Sequence, residues 1–404
     1  MEFINGTVTT PLGFSAAGVI CGVKASNTTK RDVALIYSEV PCAAAGIYTL
    51  NKVQGAPILV TKEHLQNGRA QAVICNSGNA NTCNADGVDK ARAMAQAAGE
   101  ALGIPGEDVI VASTGVIGQP LNLDVILQGI PALAAGLGDH GTDAAEAIMT
   151  TDTVKKEVCV RLELGGKPVT IGAIAKGSGM IHPNMGTMLS FITTDCAIAP
   201  AMLQKALRWV GDRTYNMVSI DGDTSTNDTL TIMANGLAGN PLIDSEGADY
   251  DAFVAALYGI CEKVAKMIAK DGEGASRMLE CHVYHAADED IARKAAKSVI
   301  TSSLVKAAFF GADANWGRIL CALGYCDAPL DVTRIDVTLT SRKGEILVCR
   351  DGAGVAFSEE KAKEILLEDE IGIEVDLKAG EAQARAWGCD LTYKYVEING
   401  DYRT

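Results

Sequence analysis

Apolar and polar residues alternate along the chain in two patterns. Short aliphatic runs broken by Gly, Pro and Asn predict strands, at residues 18–23, 33–38, 45–49, 58–60, 71–75, 108–112, 154–164, 169–174, 189–193, 278–286, 332–340, 346–350 and 393–398. Apolar residues at helical spacing predict helices, at residues 86–102, 123–135, 142–149, 200–214, 251–271 and 359–366. No internal repeat or low-complexity run interrupts these patterns.

The order of these elements indicates the fold class. Residues 154–164 and 169–174 are two strand-like runs around Gly165 and Gly166, which predict a β-hairpin. Because hairpins join antiparallel strands, an α+β layered sandwich fits better than a doubly wound parallel sheet. We expect a smaller C-terminal α/β lobe at about residues 287–404.

Charge and hydropathy exclude several classes of function. The chain carries 35 basic and 50 acidic residues, a net charge of −15, without a Lys/Arg-rich run. Nucleic acid is therefore not an expected partner, because phosphate binding needs clustered cations. No apolar stretch of about 18 residues predicts a membrane span. The first residues lack the basic and apolar regions of a signal peptide, so a cytoplasmic location is expected.

The peptide bond between Gly186 and Thr187 is the strongest candidate for chemistry. It follows a glycine-rich segment and precedes the predicted strand 189–193. A threonine hydroxyl is a weak nucleophile unless a base lies beside it. Cleavage here, by attack of the Thr187 hydroxyl on the preceding carbonyl and then hydrolysis, supplies an α-amine with a pKa of roughly 7.7–8.0. We hypothesise that Thr187 becomes both nucleophile and base, against the alternative of an ordinary turn threonine.

Four other residues could assist such a nucleophile. Thr114 and Gly115 follow the predicted strand 108–112, where a glycine turn can aim backbone amides into a cleft. Lys176 follows the hairpin and offers a cation for a substrate carboxylate. Glu273 lies in a glycine-rich turn after the helix 251–271 and could hold a substrate amine. The alternatives are a plain turn and solvated surface charges. No zinc, P-loop or dinucleotide motif is present in its proper context, so neither a metal nor a bound cofactor is expected.

Ordered motifs along the chain resemble the ornithine acetyltransferase (glutamate N-acetyltransferase) family of arginine biosynthesis. The resemblance runs from near the N-terminus to Thr404 and is specific because many motifs occur in order. They are Ser-Thr-Gly-Val-Ile-Gly (113–118), Met-Thr-Thr-Asp-Thr (149–153), Lys-Gly-Ser-Gly-Met-Ile (176–181), Pro-Asn-Met-Gly-Thr-Met-Leu (183–189), Asp-Gly-Asp-Thr-Ser-Thr-Asn-Asp (221–228), Asp-Gly-Glu-Gly-Ala (271–275), Asp-Ala-Asn-Trp-Gly-Arg (313–318) and Ile-Asn-Gly-Asp-Tyr-Arg-Thr (398–404).

The resemblance implies self-cleavage into an α chain, 1–186, and a β chain, 187–404, which assemble as a heterotetramer of two each. It implies helices flanking two packed sheets, as in N-terminal-nucleophile enzymes. It also implies ping-pong chemistry, in which Thr187 takes the acetyl group from N2-acetylornithine and glutamate then removes it. Whether acetyl-CoA also serves as donor is left open by the sequence.

The resemblance further assigns roles to individual residues. Thr114 and Gly115 match the oxyanion-hole pair of the family. The matches to its substrate-contacting residues are Lys176, Thr187, Glu273, Asn399, Thr404 and a threonine that is either Thr150 or Thr151. A cation at Lys176 and an anion at Glu273 suit N-acetylornithine, which carries a carboxylate and an amine.

One departure and two alternatives accompany this interpretation. Gly186 stands where the family commonly has Ala, and glycine is less hindered but less conformationally fixed, so we expect cleavage to survive with an altered rate. One alternative is a self-cleaving N-terminal-threonine aminopeptidase or amidase, which would pass its acyl group to water. The other is an uncleaved binding protein without catalysis.

Overall fold

The computed structural model describes residues 1–182 and 188–400. The strands within these ranges are β1 (Glu2–Ile4), β2 (Phe14–Val19), β3 (Val33–Tyr48), β4 (Arg69–Asn76), β5 (Val109–Ser113), β6 (Lys156–Leu164), β7 (Lys167–Lys176), β8 (Leu189–Thr194), β9 (Val218–Ser219), β10 (Thr229–Ala234), β11 (Met278–Ala286), β12 (Asp336–Ser341), β13 (Gly344–Arg350), β14 (Ala353–Gly354), β15 (Glu370–Asp376) and β16 (Ala382–Cys389).

Helices separate many of these strands. They are α1 (Ala56–His64), α2 (Gly87–Leu102), α3 (Leu123–Ala135), α4 (Gly141–Ala147), α5 (Pro200–Arg213), α6 (Ala248–Lys270), α7 (Glu289–Thr301), α8 (Ser303–Phe310), α9 (Trp316–Gly324), α10 (Glu359–Leu366) and α11 (Tyr393–Asn399). None of the helices in the described ranges is long and apolar enough to cross a membrane.

The contacts within the chain define two units. The first contains the described residues of 1–177, 183–215 and 224–264, and the second contains those of 178–182, 216–223 and 265–404. The predicted division between Gly186 and Thr187 lies outside the described residues. The predicted C-terminal lobe at about 287–404 stays a prediction.

The first unit is built on a nine-stranded sheet that folds over onto itself. The strand order is β1-β6-β7-β8-β10-β3-β4-β5, and β2 also pairs with β3. The first half of β3 pairs with β2 and β4, whereas its second half pairs with β10. The register of β3 against β4 shifts between Tyr37 and Cys42. The long strand β3 therefore passes from one layer of the sheet into the other.

Two hydrophobic clusters show how these layers pack. Ala34 and Ile36 of β3 belong to a cluster with residues of β4, β5, β7, β8 and β10, which lies between the two layers. Val33 and Leu35, the alternate residues of the same strand, belong to a second cluster with helices α1, α2 and α3. Alternation places successive side chains on opposite faces. This layer is therefore buried on both faces, as the apolar runs of its strands indicate.

The second unit contains a seven-stranded mixed sheet. Its order is β14-β13-β12-β15-β11-β16-β9, with β11 parallel to β15 and antiparallel to β16. Helix α7 packs on β11 and β16, and α10 packs on β12 and β13. The predicted α+β class, with packed sheets flanked by helices, is confirmed.

Two predicted strands are wrong. Residues 58–60 lie in α1, which begins with Pro57 in its first turn, a favoured position for proline. Residues 393–398 lie in α11, whose first turn is capped by the Thr392 hydroxyl accepting from the Lys394 amide at 3.1 Å. In both segments a short apolar run was compatible with either structure.

Candidate active site

Lys176 and Thr114 meet in the first unit. Lys176 is the last residue of β7, and Thr114 directly follows β5. Because β5 and β7 belong to the two facing layers, the Lys176 ammonium comes within 3.5 Å of the Thr114 hydroxyl. Lys176 is 8% exposed. Among the described residues Lys176 makes this one long hydrogen bond, so its buried ammonium keeps hydrogen-bonding capacity for an anionic ligand.

Asp152 connects the end of β7, next to Lys176, with the turn that follows α4. Its carboxylate accepts from the Lys156 ammonium at 2.7 Å and from the Gly177 amide at 2.6 Å. It also accepts from the Thr150 amide at 3.1 Å. Burial opposes ionisation of Asp152, but the charges of Lys176 and Lys156 and the hydrogen bonds from Gly177 and Lys156 outweigh it and lower the pKa of Asp152 to about 2. Asp152 is therefore a fixed anion that positions the residues on either side of it.

The threonines of this turn lie beside that anion. Thr150 accepts a hydrogen bond at its carbonyl from the Lys30 ammonium at 3.1 Å and donates its amide to Asp152. Thr151 is the residue between Thr150 and Asp152, and both threonines are partly buried. Both predicted candidates therefore lie in the Asp152 turn, within the same unit as Lys176.

Thr114 and Gly115 form a tight turn against residues 78 and 79. The Thr114 amide donates to the Asn76 carbonyl at 3.0 Å, so this residue offers its hydroxyl, rather than its amide, to a ligand. The Gly115 amide donates to no residue that the structure describes. Gly115 has φ = +129°, and a Cβ there would overlap the backbone of Gly78 and Asn79. A hydroxyl and an amide that has no acceptor among the described residues, both on one turn, are donors suited to an oxyanion.

Asn227 stabilises the turn formed by Thr114 and Gly115. The sequence did not predict it as a site residue. Its side-chain amide donates to the carbonyl of Ala80 at 2.6 Å and of Ser113 at 3.0 Å. Its side-chain oxygen accepts from the hydroxyls of Thr82 at 2.6 Å and Thr226 at 2.5 Å. Asn227 is buried. The motif 221–228 marked this loop as polar, but the partners of Asn227 are distant in sequence and could not be read from it.

Glu273 and Asn399 meet in the second unit. The Asn399 side-chain amide donates to Glu273 Oε2 at 2.7 Å. The Glu273 amide donates to the Ser178 carbonyl at 2.8 Å, and a Cβ at Gly179 would overlap the Glu273 carboxylate. Glu273 is 7% exposed. Two residues that the resemblance assigned to substrate binding are therefore hydrogen-bonded to each other.

Asp221 fixes the segment that leads toward the candidate cleavage bond. Its carboxylate accepts from the amides of Met180 at 2.5 Å and Ile181 at 2.9 Å. Met180 has φ = +53°, a conformation uncommon for a residue with a side chain. Lys306 is buried and donates to the Ile220 carbonyl at 2.6 Å, which steadies the Asp221 loop.

Three predicted site residues, Gly186, Thr187 and Thr404, lie outside the described residues. The next residue in the chain after Thr187 is described. Met188 is buried, and its carbonyl accepts from the Thr229 amide at 2.9 Å. The strand that follows, β8, lies between β7 and β10.

Comparison with known proteins identifies the family. The model of the ArgJ family matches residues 15–404. The chain is 54% identical over 406 residues to the arginine biosynthesis bifunctional protein ArgJ of Symbiobacterium thermophilum and 50% identical over 406 residues to that of Caldanaerobacter subterraneus, with 100% of each chain covered. A crystal structure of the Bacillus halodurans ArgJ protein is 44% identical, with a TM-score of 0.49, and the match covers 52% of this chain and 96% of that one. The predicted resemblance is thus confirmed, and the chain belongs to the ArgJ family.

Proposed function

We propose that this protein, an acyltransferase of arginine biosynthesis, transfers the acetyl group of N2-acetylornithine to glutamate. The observation that carries the proposal is the hydrogen bond of 3.5 Å between the Lys176 ammonium and the Thr114 hydroxyl. It lies beside β8, the strand that begins two residues after Thr187. The membership of the ArgJ family supports it. The reaction has two half-reactions that share one nucleophile, Thr187.

Self-cleavage comes first. The Thr187 hydroxyl attacks the Gly186 carbonyl, the carbon–nitrogen bond breaks, and water hydrolyses the resulting ester. This leaves Thr187 with a free α-amine, which then takes the hydroxyl proton when Thr187 attacks a substrate. During that attack on the substrate, negative charge develops on the oxygen of the acetyl group, and the Thr114 hydroxyl and the Gly115 amide stabilise it.

Ping-pong transfer follows from this arrangement. Thr187 attacks the acetyl carbon of N-acetylornithine, and the α-nitrogen of ornithine leaves with a proton from the Thr187 ammonium. The α-amine of glutamate then attacks the acetyl ester and releases N-acetylglutamate. Lys176 receives a substrate carboxylate, and Glu273, positioned by Asn399, receives the side-chain ammonium of ornithine.

Acetyl-CoA is proposed as a second acetyl donor. The relatives from Symbiobacterium and Caldanaerobacter are both named bifunctional proteins. An enzyme with both activities forms N-acetylglutamate from acetyl-CoA as well as from N-acetylornithine. Incubation with acetyl-CoA and glutamate alone tests this, since no product above the Thr187→Ala background contradicts it.

The assembled form is also proposed. Chains 1–186 and 187–404 stay together after cleavage as a heterotetramer of two each, in the cytoplasm. Light scattering of the purified protein, with denaturing electrophoresis of the same sample, tests the stoichiometry. A particle with the mass of one cleaved 42.2 kDa chain contradicts the tetramer.

The experiment that tests the main function follows both products. Purified protein is given N-acetylornithine with and without glutamate, and ornithine and N-acetylglutamate are measured. Transfer predicts equal amounts of the two products, with both abolished in Thr187→Ala. Sustained release of ornithine and acetate without glutamate supports the amidase alternative instead, because water then accepts the acetyl group.

A further inference from the structure

Lys30 is a second cation in the neighbourhood of Lys176, and the proposed function does not use it. The Lys30 ammonium donates to the Thr150 carbonyl at 3.1 Å. The Thr150 amide in turn donates to Asp152, the carboxylate on which the charge of Lys176 acts. Lys30 is partly buried, and among the described residues no carboxylate forms an ion pair with it. Its ammonium therefore keeps donors for an anionic ligand.

The loop that carries Lys30, residues 21–32, has a fixed backbone. The Asn27 side chain donates to the Lys30 carbonyl at 2.7 Å and accepts from the Lys30 amide at 3.0 Å. The buried Asp32 carboxylate accepts from the Asn27 side chain at 2.8 Å. It also accepts from the backbone amides of Cys21 at 2.6 Å and Val23 at 2.8 Å. Because the backbone is held in place, binding of an anion by Lys30 has little chain left to order.

This loop lies against the turn that supplies the candidate oxyanion donors. A Cβ added at Gly78 would lie 3.5 Å from the Lys24 amide nitrogen, in the middle of the loop. The backbone of Gly78 is also what a Cβ at Gly115 would overlap. Both contacts lie within the first unit. The loop 21–32 therefore borders the candidate site.

The charge of Asp152 acts on three lysines, and these are not equivalent. Lys156 is fully buried and donates to the Asp152 carboxylate at 2.7 Å, so it is an internal counterion. Lys176 contacts only a hydroxyl, and Lys30 contacts only a carbonyl. Burial lowers the pKa of Lys30, and so does the charge of Lys176, whereas the carboxylates of Asp152 and Glu146 raise it. Lys176 and Lys30 thus repel each other, and a ligand with two negative charges relieves that repulsion.

The two amino acids of the proposed reaction differ in the charge of their side chains. N-acetylornithine carries one carboxylate and one ammonium, which suit Lys176 and Glu273. Glutamate carries two carboxylates, and its side chain would be repelled by the carboxylate of Glu273. One nucleophile therefore serves two substrates of opposite side-chain charge, and glutamate needs a second cation.

We propose that Lys30 determines specificity for glutamate, by receiving its side-chain carboxylate while Lys176 receives its α-carboxylate. The inference rests on the proposed function, because it assigns a residue to the second half-reaction. N-acetylornithine has no second anionic group, so Lys30 acts on the acceptor and not on this donor. The side chains of the two substrates then bind in separate places, each beside a group of opposite charge.

The choice between glutamate and glutamine as acceptor tests the proposal. The two have nearly the same shape, but only glutamate has a charged side chain. Wild type and Lys30→Met are given N-acetylornithine with either acceptor, and the acetylated products are measured. Wild type should prefer glutamate. In Lys30→Met, kcat/KM for glutamate should fall about 10- to 100-fold, with a much smaller change for glutamine and in KM for N-acetylornithine.

Two further variants separate charge from structure. Lys90 also donates to a backbone carbonyl in the first unit, that of Leu121 at 2.9 Å. Lys90→Met is therefore the matched control and should keep the wild-type preference for glutamate. Lys30→Arg keeps the positive charge and should retain most of that preference.

The outcomes distinguish this proposal from the proposed function. A wild type that forms no N-acetylglutamate overturns the function itself. An active wild type without preference for glutamate, or a Lys30→Met with the wild-type preference, overturns only the role of Lys30. Equal losses with both acceptors also overturn it, because a purely structural role through the Thr150 carbonyl predicts them. If Lys30→Met does not fold, Lys30→Gln is compared with Lys30→Arg, and equal preferences of these two variants contradict the proposal.

Discussion

Lys176 and Thr114 are 62 positions apart in sequence, yet the Lys176 ammonium lies 3.5 Å from the Thr114 hydroxyl. Four strands separate β5 from β7 in the order of the sheet. The contact exists because β3 carries the sheet from one layer into the other, which brings the ends of β5 and β7 together. The Lys176 ammonium and the Thr114 hydroxyl therefore mark the candidate site. Their contact depends on the passage of β3 between the two layers, more than sixty residues before Thr114 in the sequence.

Gly115→Ala should abolish transfer because the turn has no room for a side chain. A Cβ at this position meets the backbone of Gly78 and Asn79, and φ is +129°. We expect a loss of unfolding free energy of more than about 1 kcal/mol and a large fall in kcat. Gly118→Ala is the matched control, since Gly118 also has positive φ, at +74°, with nothing within 4 Å. Equal effects of both substitutions on kcat contradict the role of the Gly115 turn.

Asn227→Ala should destabilise the first unit and disable the Thr114 turn. The substitution removes the Asn227 amide donor from the buried carbonyls of Ala80 and Ser113, of which the Ala80 carbonyl keeps only the Thr82 hydroxyl at 3.2 Å among the described residues. We expect a cost of about 2–4 kcal/mol, measured by denaturant unfolding. Asn235→Ala removes a contact of 2.8 Å with the Leu12 carbonyl in the same unit and serves as control. It should lower stability without lowering kcat. Full activity of Asn227→Ala contradicts our account of this residue.

Glu273→Gln should weaken the binding of the substrate that carries a side-chain ammonium. The neutral amide keeps the size of the side chain and its contact with Asn399 but loses the charge. KM for N-acetylornithine should rise about 10- to 100-fold, with a much smaller change for glutamate. Glu280→Gln is the control, because the Glu280 carboxylate pairs with Lys266 at 3.0 Å and Arg385 at 3.3 Å. If both substrates are affected equally by Glu273→Gln, the assignment is wrong.

His182 should make the stability of the protein depend on pH. Burial, with the nearby charge of Lys297, lowers its pKa to about 4 from an unfolded value near 6.5. Between these values the unfolded chain binds more protons, so stability falls as pH falls from about 6.5 to 4. His182→Gln should reduce this fall by about 1–2 kcal/mol, whereas the exposed His140→Gln should not. Parallel stability–pH curves for wild type and His182→Gln contradict the prediction.

Local signals in the sequence identified much of the fold. The bounds of β11 and α10 match the predicted segments 278–286 and 359–366, and Ser358 caps α10 with its side chain. The strands of the hairpin around Gly165 and Gly166 also form as predicted. Where a short apolar run was the only evidence, as at 58–60 and 393–398, the prediction was wrong. The Thr392 cap and Pro57 were the signals that could have corrected both.

Long-range features of the site could not be predicted in the same way. The polar run 221–228 and the motif 149–153 were visible, but Asn227 and Asp152 act through partners far away in the chain. The two-layer path of β3 was likewise hidden, since 33–38 and 45–49 were predicted as separate strands rather than halves of one. Tertiary packing determines such features, and local patterns in a single sequence do not predict it.

The central claim is that Thr187 is a self-generated nucleophile that carries the acetyl group. Intact-mass analysis of wild type beside Thr187→Ala, each with N-acetylornithine and no acceptor, tests it most directly. We predict that wild type gives the chains 1–186 and 187–404, the latter with one added acetyl group of about 42 Da. Thr187→Ala should remain one chain of 42.2 kDa without the adduct. A single intact chain from wild type, or an acetyl group on the variant, contradicts the account.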